Sequence, residues 1–189
     1  VVFHPTQPDV LISVNDGGIQ RTDNVRASRV SWTDLNRGYL TTQFYTVDQE
    51  AAEGSSKLIG GMQDNATWAT DSSSGTAFWR RLGGGDGAYC YFADSGRTEY
   101  YSSQQGRMFR IRRDAVGNEI DRSRIDPRGG KDYLFINPSV LHPADQHVMY
   151  LAGGSVLWRN NNLRDIPAGV NDSTSVNWDS LTTTNVAPN

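Results

Sequence analysis

Three aspartates stand in glycine- or turn-rich settings where a carboxylate can do chemistry: Asp16 in NDGG (15–18), Asp64 in MQDNATW (62–68) and Asp86 in GGGDGAYC (83–90). Three kinds of role are open to them. A pair held roughly 6.5–9.5 Å apart can cleave a glycosidic bond with inversion, one as an acid of raised pKa and the other activating a water. Asp64 and Asp86, helped by carbonyl oxygens, can hold a hard cation, so a structural calcium ion is the one metal these residues suggest. Alternatively each carboxylate accepts backbone N–H groups and caps its own turn. Gly83, Gly85 and Ala88 also match the G-x-G-x-x-A spacing of a dinucleotide-binding turn, but that motif needs a helix N-terminus after it. The residues after the glycines are AYCYFAD, an alternating aromatic strand, so no nucleotide cofactor is expected.

Other chemistry is sparse. His4 and His142 fall in matching His-Pro turns, and His147 aligns with Asp9 as a further turn residue, which assigns all three to structural or surface roles. The single Cys90 excludes an internal disulfide, and no clustered His/Cys spacing suits zinc. The 189 residues carry a net charge of −3 with no Lys/Arg run, so nucleic acid is not an expected partner. No apolar stretch has the roughly 18 residues a membrane helix needs. The first residues, VVFHPTQPDV, lack the basic and apolar regions of a signal peptide.

The elements that must position the aspartates are strands. Apolar residues make up only 37 %, aromatics 10 %, and there are 19 glycines, a balance that favours short strands and many turns. Three markers repeat. His4-Pro5 and His142-Pro143 lie 138 residues apart, three spacings of about 46. Trp-x-x-Leu recurs at Trp32, Trp79 and Trp178. VNDGGIQRTD, MQDNATWATD, SQQGRMFRIR and AGGSVLWRNN align as a third series. A period in the forties with four strands per unit predicts an all-β chain of β-propeller blades. The expected blades are 1–35, 40–82, 87–131 with an insertion at 115–131, and 133–181, with 182–189 opening a further one. About four blades with incomplete ends suggest an open part of a larger propeller, completed by another chain or by the remainder of a parent protein. On this reading Asp16 and Asp64 occupy equivalent connections between second and third strands. Asp86 lies in the connection entering an innermost strand, so all three open on one end of the blades.

The string VNDGGIQRTDN, WTDLNRGYLTTQFYTVD, LIGGMQDNATWAT, WRRLGGGDGAYCYFAD and YYSSQQGRMFR resembles the sortilin-like, Asp-box (BNR-type) propeller superfamily, which also contains xyloglucanase-type glycoside hydrolases. Worn Asp-boxes resemble the blade tails at Thr22-Asp23 with Trp32 and at Thr70–Thr76 with Trp79. The resemblance implies a secreted or surface protein, either a non-catalytic binding module or an inverting hydrolase of β-glucan. In the hydrolase case it implies Asp16 and Asp86 as the catalytic pair. Phe109-Arg110-Ile111 resembles the sialidase Phe-Arg-Ile-Pro motif without its proline.

For the binding role, Gln43, Tyr45, Gln63, Asp64, Trp68 and Gln104 form the expected ligand surface, with Tyr39, Phe44, Tyr89 and Tyr91 among the neighbouring aromatics. Amide and carboxylate groups suit sugar hydroxyls, and aromatic faces suit pyranose rings. The expected ligand is a glycan or a protein.

Overall fold

The computed structural model describes residues 1–37 and 42–184. Among the described residues sixteen strands form four antiparallel sheets of four, each in sequential order. The first holds β1 (Val2–Phe3), β2 (Leu11–Asn15), β3 (Gly18–Thr22) and β4 (Thr33–Asp34). The second holds β5 (Phe44–Gln49), β6 (Leu58–Met62), β7 (Ala66–Thr70) and β8 (Arg80–Arg81). β9 (Cys90–Ala93), β10 (Thr98–Ser102), β11 (Met108–Arg113) and β12 (Glu119–Arg124) make the third. The fourth is β13 (Ser139–His142), β14 (Asp145–Gly153), β15 (Val156–Asn160) and β16 (Trp178–Leu181). The only helical elements among the described residues are two single 3-10 turns, Leu163–Asp165 and Thr182–Thr184. No described helix is long and apolar enough to cross a membrane.

The chain is all-β and its sheets are β-propeller blades, up-and-down meanders of the kind the repeat predicts. It divides into two compact units, Val1–Gln43 with blade 1 and Phe44–Asn189 with blades 2 to 4. Two expectations are corrected. The stretch 115–131, read as an insertion, contains β12: Glu119–Arg124 pairs along β11 with one bulge at Arg112/Arg113. It carries no Trp-x-x-Leu marker and so escapes the repeat. Blade 1, read as incomplete, has its full four strands, the outer two only two residues long.

In the second unit, adjacent blades pack face on face. Blades 2 and 3 share a cluster of Ile59, Ala69, Leu82, Cys90, Phe92, Tyr101 and Ile111. Tyr100, Met108 and Ile125 of blade 3 meet Met149, Leu151, Leu163 and Trp178 from blade 4 and its long connection. Each fully buried side chain of this size contributes roughly 1.5–3 kcal/mol. The Trp178 indole N–H donates to the Ile125 carbonyl at 2.7 Å, so the last Trp-x-x-Leu marker is a seam residue. Trp79 is half-buried and tilted against Phe44, their centroids 6.4 Å apart, while Trp32 is exposed in blade 1.

Candidate functional site

The connections before each first strand and between second and third strands gather at one end of the second unit. The β6–β7 turn (63–65) is tight: Asp64 has φ +58°, a conformation open to Asp at modest cost. The β8–β9 connection (82–89) lies across it, stitched backbone to backbone. Leu82 N–H donates to Thr67 O at 2.8 Å, Gly87 N–H to Met62 O at 2.9 Å, and Ala88 N–H to Ser102 O at 3.2 Å. Close approach explains the glycines. A Cβ on Gly87 would stand 2.3 Å from Ala66 O, and one on Gly85, whose φ is +70°, 2.5 Å from Gln104 Oε1. The run GGGDG is thus a blade-to-blade crossing.

Asp86 is 7 % exposed and its Oδ1 accepts the Asp64 backbone N–H at 3.1 Å. The two sequence-predicted carboxylates therefore do come together, with Asp86 capping the turn that carries Asp64. Tyr45 belongs to the same group: partial burial and the charges of Asp86 and Asp64 raise its phenol above the ordinary value. Gln104 packs on Gly85. Gln63 is half-buried, and its carbonyl accepts the Asn65 side-chain amide at 3.2 Å. Trp68 is half-buried, its indole N–H given to Asn65 O. Tyr91 is turned to the blade 3–blade 4 seam, where its hydroxyl donates to Ser139 O. Asp16 and Gln43 are exposed residues of the first unit, Asp16 in the β2–β3 turn. Tyr39 lies outside the described residues. Among the described residues no group of three or more His, Cys, Asp or Glu side chains gathers as a metal would require, so a calcium ion at Asp64 and Asp86 would draw its other oxygens from elsewhere.

Beside this group the structure has a hollow of about 420 Å³ that sequence reading missed. The β10–β11 turn supplies Gln105 and Arg107, the β12–β13 connection Asp126 to Tyr133, and Ser173 closes one side. Gln105 N–H donates to Phe135 O at 3.0 Å and fixes the two walls together. Arg124 is committed to Asp126 through two bonds of 2.8 and 2.9 Å. Arg107 is exposed, and its guanidinium makes no ion pair or hydrogen bond among the described residues. Tyr133 has its hydroxyl buried without a partner, and burial with the Asp126 charge pushes its pKa up to about 12. The sequence signal for this hollow is IDPRGGKD (125–132), which stands where a further Trp-x-x-Leu copy is due and lengthens the connection.

Two sequence expectations fall on structural residues. His147 is no turn residue: it is buried on β14, Nδ1 3.0 Å from the Tyr100 hydroxyl and Nε2 3.0 Å from Asp94. Alignment by turn position placed it wrongly because β14 is nine residues long and begins at Asp145. Arg110, the sialidase-like arginine, is 1 % exposed and bonded to Asp121 and to three backbone carbonyls, out of reach of a substrate.

No family model matches the chain, and no curated protein does. Solved structures do, among them the β-propeller domain of Cps50 (Swd1) from Myceliophteria thermophila, 8 % identical, with a TM-score of 0.45 over 85 % of this chain. The chain spans 55 % of the length of that domain.

Proposed function

We propose that this chain is a non-catalytic binding module, with a glycan or a protein as ligand taken at the loop end of blades 2 to 4. The observation that carries the reading is the hollow of about 420 Å³, lined by side chains that offer both donors and acceptors, with Arg107 uncommitted. Gln104 and Tyr45 extend the same end with an amide and a phenol. Sugars and peptide segments present alternating donors and acceptors that such a surface satisfies. A secreted or surface location, and the sortilin-like Asp-box ancestry that its motifs resemble, suit this role.

The alternative is an inverting hydrolase of β-glucan using Asp16 and Asp86. Its support is the resemblance of NDGG and GGDG to the acidic motifs of xyloglucanase-type enzymes. Against it stands the work Asp86 already does as a buried turn cap.

A glycan array and a pull-down with the whole chain test the proposal. Binding of a defined ligand, weakened about tenfold in Arg107→Ala (some 1.4 kcal/mol), is the expected result. No retained ligand in either format overturns it. Release of reducing sugar from xyloglucan, lost in both Asp16→Asn and Asp86→Asn, would favour the hydrolase instead.

A further inference from the structure

Blade 4 has two unlike faces. Cross-strand partners share a face, so Leu141, Met149 and Trp178 lie on one side and Val140, Tyr150, Arg159 and Asp179 on the other. The first side is the seam with blade 3 and is buried. The second keeps Val140 53 % exposed and Tyr150 and Leu157 half-buried, an aliphatic and aromatic sheet face open to water. A sheet face of that composition is normally covered.

Two charged side chains stand side by side on this face. Arg159 Nη2 is 3.7 Å from Asp179 Oδ2, too long for a good hydrogen bond, and Arg159 Nε is buried with no partner. A cation and an anion on neighbouring strands, within an apolar field, form a pattern complementary to itself under a twofold rotation. Turned through 180°, the face sets Arg159 of one copy against Asp179 of the other, twice, and apolar strand against apolar strand. We propose that the outer face of blade 4 docks a second copy of this chain through such a symmetric contact, with Arg159 and Asp179 paired across it and Val140, Tyr150 and Leu157 packed around them. The self-complementary charge pair is what selects a second copy over an unrelated protein, and isologous twofold contacts are the commonest form of self-association.

Sedimentation of the whole chain at micromolar concentration tests this. The expected result is a dimer, with the dissociation constant raised at least about tenfold in Arg159→Asp and in Asp179→Arg. Each single variant sets like charges together within its own chain. An equimolar mixture of the two restores both pairs across the contact and none within a chain, so the mixture forms a heterodimer while each variant alone stays monomeric. A monomeric parent chain, dimers indifferent to both substitutions, or a mixture that fails to associate overturns the proposal. Should either charge variant fail to fold, Val140→Glu, at an exposed strand position, carries the test: it must melt like the parent chain and be monomeric.

Discussion

The seam between blades 2 and 3 and the seam between blades 3 and 4 are closed by different means. At the first, the crossing from β8 to β9 is short and its backbone groups bond directly to blades 2 and 3. Side chains add to these ties, with Arg122 donating to Leu82 O, Thr46 Oγ1 to Ala88 O at 2.7 Å, and Arg80 pairing with the buried Glu99 at 3.1 Å, but the crossing itself is limited by room. A Cβ on Gly61 would lie 2.0 Å from Ala88 O, and one on Gly83 would lie 2.5 Å from the Tyr101 ring. At the second seam the long β15–β16 connection (161–177) brings irregular backbone against blade 3, with carbonyls that no ladder satisfies. A buried guanidinium supplies the donors: Arg110 reaches Leu163 O at 2.6 Å, Ile166 O at 2.8 Å and Pro167 O at 3.3 Å, with its charge held by Asp121 at 3.1 Å. Asp121 in turn accepts Gly169 N–H at 2.9 Å, so acid and base both fasten the same connection. The seams therefore differ in degree: the short crossing is tied mainly backbone to backbone and leaves little room, while the long connection has three carbonyls that one buried guanidinium must satisfy.

The sharpest way to break the comparison is Arg110→Met. It removes the donors of three buried carbonyls and leaves Asp121 with only the part-exposed Arg112 as ionic partner. A loss of about 3–5 kcal/mol is expected, read as a drop in the urea midpoint. Arg110→Lys, which keeps the charge but not the fork, should fall between the two. The crossing at the first seam should answer to volume. Gly61→Ala costs about 1–3 kcal/mol through the forced shift of Ala88 backbone, though it removes no hydrogen bond. If Arg110→Met proved milder than Gly61→Ala, the heavier reliance of the second seam on a single buried side chain would be wrong.

The legibility of these features in the sequence obeys the same division. Blades were legible because strand alternation and turn residues are local: FYTVDQ, LIGGM, ATWAT and MFRIRR all form strands where patterning places them. The glycines of 83–87 were legible as a crossing because an aromatic strand comes directly after them. What pairs across blades was not. Arg110 and Leu163 are 53 residues apart, and Tyr100 and His147 47 apart. Nothing in either stretch names the other. The β12 strand, EIDRSR, was missed for a related reason: its pattern is polar because one side is covered by Arg–Asp pairs and not by apolar residues. The hollow beside Gln105 was hidden too, since its walls come from three separate connections.

Acid should loosen the second seam through its other tie. Burial alone would raise the Asp94 pKa, but the Thr98 hydroxyl, the Arg164 guanidinium and His147 together hold it at about 2. A carboxylate whose folded pKa lies below its unfolded value of 3.8 stabilises the fold above that value. Its contribution is then lost as pH falls from about 4 toward 2. Urea midpoints taken across this window should fall for the parent chain and fall less for Asp94→Asn, which starts lower at pH 5 and has no such proton to gain. Equal slopes for the two proteins would remove Asp94 from the account of the seam.

Asp86→Asn should be the mildest change, and that mildness is informative. The carboxamide keeps an oxygen for the Asp64 N–H, so the turn remains capped and the midpoint should move by less than about 1 kcal/mol. Asp86→Ala removes the acceptor that caps the β6–β7 turn, which costs about 1–2 kcal/mol. That order, Asn close to the parent and Ala clearly below it, is what a structural cap predicts. Ligand affinity should keep the same order, because Asp86 acts on the loop end by shaping the β6–β7 turn beside Gln104 and Tyr45. If Asn abolished binding while leaving the midpoint unchanged, the charge of Asp86 would be meeting a ligand directly. The short crossing would then hold a second function besides joining two blades.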